Sequence, residues 1–180
     1  SLTDGKKTIA DPTYMKISTD DFLSEESRLN RQRRISATAH LPDCADVSDG
    51  GTVYACTADK DGNSVSLIQS NYDGFGSGIV IPGTGIALNN RGRNFSADPT
   101  SPNAVGPRKK SYHTIIPSFL SKDGIPIGPF GIMGAFMQPQ GHLQLVIDTV
   151  DEHLDPQSAL NQPRWQWTGD KNIEVEPDFD

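Results

Sequence analysis

Cysteine is scarce in this chain: Cys44 and Cys56 are the only two in 180 residues. That is too few for a disulfide-built scaffold, and their spacing is not that of a zinc or cluster site. Four scattered histidines, His40, His113, His142 and His153, add no ligand pattern, so no metal is expected. No apolar run approaches the roughly 18 residues of a membrane-spanning helix. Basic residues are also in deficit, 16 Lys and Arg against 23 Asp and Glu, for a net charge of −7. A nucleic-acid partner is therefore not expected, because phosphate binding needs a basic face. The runs RLNRQRR (28–34) and PRKK (107–110) read as a solvated helix face and a basic loop. GFGSG (74–78) lacks the Lys-Ser/Thr ending of a phosphate loop and reads as a sharp turn, and no cofactor motif is found elsewhere. The opening SLTDGKKTIADPTYM has neither an initiator Met nor the basic start and apolar core of a signal peptide. The expectation is a stretch of a longer protein whose compartment, cytoplasmic or periplasmic, is not legible here.

What is present suffices for one core, with 34% hydrophobic and 22% charged residues. Ser18 and Thr19, followed by acidic residues, start a helix through TDDFLSEESRLNRQRRI with Phe22, Leu23 and Leu29 as its apolar stripe. A polar linker follows, SATAHLPDCADVSDGG (36–51), read as exposed and mobile. The pattern then turns to strands: 52–59 and 64–71 form a hairpin around DKDGN (59–63), with Cys56 a small core residue of the first strand. After a glycine-rich stretch (74–95), strands at 112–120 and 126–133 are joined by SKDG. Leu143, Val146, Ile147 and Val150 recur at helical spacing in 138–153, and a short helix over 156–162 starts after Asp155-Pro156. His142 reads as structural, and the acidic pairs Asp20-Asp21 and Asp151-Glu152 as helix surface charge. Strands followed by helices in one unit predict a layered α+β fold.

Gly50-Gly51-Thr52 stands at the foot of the first strand. One reading is a turn. The other is chemical: the Thr52 hydroxyl attacks the Gly51 carbonyl, and water opens the resulting ester. That frees the Thr52 α-amine, whose reference pKa of about 7.7–8 suits a general base at neutral pH. Two glycines permit the strained backbone that such an attack needs.

The ordered segments GGTVYACTADKDGNSVSLIQS, GFGSGIVIPGTGIALNN, HTIIPSF, GIMGAFMQPQGHLQ and LNQPRW together resemble the γ-glutamyltransferase family of N-terminal nucleophile hydrolases. The upstream DPTYMKISTDDFLSEE resembles the end of that family's large subunit. The resemblance implies an αββα sandwich, incomplete in this stretch. It divides the chain into a large-subunit end with cleavage linker (1–51) and a small-subunit catalytic region (52–180). It implies self-cleavage between Gly51 and Thr52, with Thr52 as nucleophile. Ser70, eighteen positions on, stands where the family has a supporting hydroxyl, usually threonine; an outward-facing strand serine is the alternative. Gly134 and Ala135 match the glycine pair whose backbone N–H groups face the oxyanion, or else form a tight turn. The implied partners are a small-molecule γ-glutamyl or acyl amide such as glutathione and the rest of the protein's own large subunit, with self-association left open. An inactive fold-sharing relative that binds without turnover is the alternative.

The departures bear on substrate. Thr52 is followed by Val53-Tyr54 where the family has Thr-His, and Tyr72 replaces an asparagine. Asn94 replaces an aspartate that grips the α-amine, and His113-Thr114 replace a Ser-Ser pair on the α-carboxylate. Arg91 and Arg93 could instead pair with a carboxylate, or serve loop solubility. These changes resemble the acylase-like branch, which implies a dicarboxylate-type acyl group as substrate, with glutathione less assured.

Overall fold

The computed structural model describes residues 2–38 and 51–179. His40, Cys44 and Gly50, with most of the expected linker, lie outside them. Internal contacts divide the chain into two units: Ser1–Ala45 with Gly92–His113, and Asp46–Arg91 with Thr114–Asp180.

In the first unit, α1 (Leu2–Thr8) precedes a single 3₁₀ turn at Pro12–Tyr14, then α2 (Thr19–Leu23) and α3 (Glu25–Gln32). The one helix expected over this stretch is two, because Ser24 adopts an extended ψ of 155° and caps α3, accepting from Ser27 N, just as Ser18 caps α2. The expected apolar stripe is thin: Leu23 is 70% exposed, and Phe22 packs under the Arg31 guanidinium at 4.2 Å. Arg31 also pairs with Asp4 at 3.1 Å, so part of the basic run is a half-buried tie and not a solvated face. The segment 92–113 is pinned by side chains. Asp11 accepts from Lys110 N at 2.9 Å, and Asn103 donates to the Asn94 carbonyl while accepting from Tyr112 N.

Among the described residues, the second unit holds three antiparallel hairpins: β1 (Gly51–Ala58) with β2 (Ser64–Tyr72), β3 (Ser118–Lys122) with β4 (Ile125–Phe130), and β5 (Trp165–Gly169) with β6 (Asn172–Val175). The Asp59 carboxylate closes the first turn by accepting from Asp61 N and Asn63 N, each at 2.9 Å. Asp123 and Gly124, at φ 52° and 78°, close the second as a two-residue turn with both residues left-handed. The strand expected from residue 112 begins only at Ser118, because backbone N–H groups in this stretch donate to side chains instead of a ladder: Tyr112 N to Asn103 Oδ1 and Ile116 N to Gln138 Oε1, each at 2.9 Å. Strand β4 lies against β1 and β2. Gly131 permits this approach, since a Cβ there would come within 2.5 Å of the Tyr54 ring.

The expected helix over 138–153 is α4 (Met137–Val146), passing into a wider π turn at Ile147–Asp151. Pro139 sits in its first turn, where the missing N–H has no helical partner to lose. Its buried face is not the expected apolar one: Leu143 is 53% exposed, whereas Gln138, Gln140, Gly141 and His142 are buried. The reason is hydrogen bonding. Gln140 donates to the Trp167 carbonyl and accepts from Trp167 N, and Gln144 does the same for Trp165. Gln140→Leu would strand those backbone groups, at about 1–3 kcal/mol each. A lowered Tm of the full-length protein is therefore expected by scanning calorimetry; an unchanged Tm would mean the contact adds nothing. Helix α5 (Pro156–Asn161) starts as expected, capped by Asp155 accepting from Gln157 N and Ser158 N.

Candidate active site

Thr52 lies where the β1–β2 ladder slips. Gly51 pairs with Tyr72 and Val53 with Gln69, so one residue of β1 faces two of β2. Thr52 is thus outside the regular pairing, across from Ser70 and Asn71, at a bulge, a device that re-aims side chains. The Ser70 hydroxyl accepts from Tyr72 N at 2.9 Å, which fixes its oxygen at the bulge.

Tyr72 follows in a left-handed conformation, φ 79°, and is 3% exposed. The Arg91 guanidinium lies 5.3 Å from its ring centroid and donates to Thr114 Oγ1 at 3.0 Å. Arg91 is 6% exposed and forms no salt bridge among the described residues, so solubility does not account for it. Burial lowers its pKa, while nearby Tyr72 and Asp73 act in the opposite sense. Thr114 is buried too. Tyr72, Arg91 and Thr114 therefore form one cluster of the second unit. Arg93, Asn94 and His113 belong to the first, where Arg93 and His113 are exposed and Asn94 donates to the Tyr112 carbonyl at 3.2 Å.

Gly134 and Ala135 make the turn into α4 with φ of 105° and 45°. Met137 N and Gln138 N bond back to their carbonyls, and among the described residues neither of their own N–H groups has an acceptor. Two adjacent unbonded donors before a helix are suited to a developing negative oxygen. Ala135 is 2% exposed and left-handed, a conformation costing an alanine about 1–2 kcal/mol.

His142, read as structural at the helix start, is structural. It is buried within α4, and its Nε2 accepts from Ile132 N at 3.0 Å, two residues before Gly134. Burial lowers its pKa, and an accepting Nε2 places the neutral ring's proton on Nδ1. The alternating Gln138, Gln140, His142 and Gln144 of QPQGHLQ were the available signal: four polar side chains in a helix with little charge. Cys56, expected in the core, is exposed. It lies toward the hairpin turn from Tyr54, lining with Tyr54, Leu120, Phe130 and Leu145 an apolar cleft of about 490 Å³. Burial raises the Tyr54 pKa, and its hydroxyl meets Ser66 at 3.1 Å. Among the described residues no group of three or more His, Cys, Asp or Glu side chains could hold a metal, and no helix is long and apolar enough to cross a membrane.

A mixed α+β chain with a threonine at a strand bulge and an open pair of turn donors has the features of an N-terminal nucleophile hydrolase fold. The Gamma-glutamyltranspeptidase profile matches residues 1–180, and the chain belongs to that family. It is 35% identical over 167 residues to the Glutathione hydrolase-like YwrD proenzyme of Bacillus subtilis, covering 93% of this chain and 32% of that protein. It is 32% identical to the Oxamate amidohydrolase proenzyme of Klebsiella pneumoniae, over 87% of this chain and 30% of that one. The crystal structure of cephalosporin acylase from Bacillus halodurans superposes with a TM-score of 0.92 at 54% identity, covering 99% of this chain and 33% of that chain. The chain thus spans about a third of the length of these relatives.

Proposed function

We propose that the protein containing this chain is a self-activating amide hydrolase or acyltransferase whose nucleophile is Thr52. The observation that carries the reading is the β1–β2 slip, which leaves Thr52 outside the ladder and across from Ser70 and Asn71. In the precursor, the Thr52 hydroxyl attacks the Gly51 carbonyl and the acyl group passes from nitrogen to oxygen. Water then hydrolyses this ester, leaving a Gly51 carboxylate and a free Thr52 amine. In the mature form that amine takes the hydroxyl proton as Thr52 attacks the substrate amide. The N–H groups of Gly134 and Ala135 stabilise the tetrahedral oxyanion, and the proton passes to the leaving amine. Water or a second amine resolves the acyl-threonine ester.

For the acyl group we assign a terminal carboxylate, received by Arg91 between the Tyr72 ring and Thr114. A buried guanidinium that feels Asp73 nearby but makes no direct salt bridge among the described residues can accept an anionic ligand. With Asn94 where the family has an amine-binding aspartate, the substrate's ammonium gains no partner and loses its water. γ-Glutamyl and glutaryl amides should therefore be cleaved with similar efficiency. The test compares kcat/KM for γ-glutamyl- and glutaryl-p-nitroanilide in the full-length protein and in Arg91→Ala and Arg93→Ala. Loss of a shielded charge-assisted bond costs about 1.5–3 kcal/mol, so Arg91→Ala should raise KM roughly 10- to 100-fold, with Arg93→Ala smaller. A γ-glutamyl preference above about a hundredfold, some 2.7 kcal/mol, would mean an ammonium-binding group exists and the acylase-like assignment is wrong. An intact chain with no hydrolysis would make the protein a non-catalytic relative.

A further inference from the structure

We propose that His142 is the positioning residue of the Gly134–Ala135 turn, holding both N–H groups toward the reacting carbonyl through its acceptor bond to Ile132; this rests on the oxyanion reading above. The segment leading into the turn lies across α4 and touches it at three successive places. The Phe130 ring meets the His142 imidazole edge to face, with centroids 5.3 Å apart and planes at 74°. Ile132 N donates to His142 Nε2 at 3.0 Å. The Ile132 side chain covers Gly141, where an added Cβ would come within 2.8 Å of it. Neither Gly134 nor Ala135 has a side-chain polar group, and the left-handed backbone of both is set by the chain on either side. On the far side, Met137 N and Gln138 N fasten their carbonyls to the first turn of α4. On the near side, the Ile132–His142 bond is the polar tie next to the turn. Without it, a buried N–H is unsatisfied and residues 131–134 are free to rotate about their remaining apolar contacts. A displacement of about 1 Å at a catalytic donor can cost up to about a hundredfold in rate.

The geometry makes the acceptor atom, not the ring, decisive. Glutamine at 142 would place an amide oxygen near the position of Nε2; asparagine is too short to reach Ile132, and leucine fills space without accepting. In the full-length protein, His142→Gln should keep kcat within about threefold of the parent. His142→Asn and His142→Leu should lower kcat about 10- to 100-fold, with KM changed less than about twofold. Amide hydrogen exchange of the peptide spanning residues 131–136, followed by mass spectrometry, should quicken in the Asn and Leu variants and not in Gln. If Leu does not fold, the Gln and Asn pair carries the comparison. Unchanged exchange in Asn overturns the proposal whatever kcat does. Quickened exchange with unchanged kcat leaves His142 holding the turn but removes the turn from the oxyanion site, which is the failure of the underlying reading.

Discussion

Thr52→Ala in the full-length protein is expected to give one uncut chain with no amide hydrolysis above background, where the parent is expected to divide between Gly51 and Thr52. Both steps use the same oxygen. In the proposed mechanism it attacks the Gly51 carbonyl in the precursor and the substrate carbonyl afterwards, so alanine should remove maturation and catalysis together. Loss of a hydroxyl nucleophile costs on the order of 10⁶ in turnover where such losses have been measured. Thr52→Ser keeps the oxygen at the bulge opposite Ser70 and should still cut, though serine's freer χ1 is less well held. N-terminal sequencing and intact mass provide the readout, and cleavage at this bond in the alanine variant would show that another group attacks it.

The second large effect is expected at Gly134. Proline would delete its N–H but requires φ near −65°, whereas Gly134 stands at 105° and the turn would be lost. Alanine is the readable change. At that φ its Cβ is strained and meets Met137 Cβ at 3.1 Å, so the turn must twist and its donors swing away. Loss of one oxyanion donor typically costs about 10²–10³ in kcat, and Gly134→Ala should approach that range. Ala135→Gly is the control. It relieves the left-handed strain and leaves the backbone donor in place, so kcat should remain within about threefold. Equal losses at both positions would mean that packing of the side chain, not the backbone amide, is what the site uses.

Much of this was legible because it rests on local chemistry. Asp59, Gly62 and Asn63 specify the first hairpin turn, Asp123-Gly124 the second, and Asp155-Pro156 the start of α5. The positions of Thr52 and Ser70 on paired strands followed from the loop between them. What escaped depended on partners far along the chain. Periodicity assigned α4 an apolar buried face, but the exposure of Leu143 and the burial of Gln138 and Gln140 follow from backbone groups at Ile116, Trp165 and Trp167 that no local window contains. Ser24 divided a helix because its side chain could cap the second half. Arg91 and Arg93 are two residues apart and alike in sequence, yet one is buried over Tyr72 and the other exposed. Only the path of the backbone through residues 91–94 separates them.

The contacts of Gln140 and Gln144 with β5 also constrain which alignment of that hairpin is possible. Four residues of α-helix rise about 6.0 Å and two residues of strand about 6.6 Å, so side chains four apart on α4 meet alternate residues of β5 nearly in step. Gln140 takes Trp167 and Gln144 takes Trp165, with the strand running opposite to the helix. A shift of β5 by one residue would turn both backbone pairs away from the helix, and a shift by two would leave one glutamine unmatched. The helix therefore works as a two-notch gauge that accepts a single setting of the strand. It also occupies the edge of β5 that β6 does not use, so no further strand can add to the hairpin on that side.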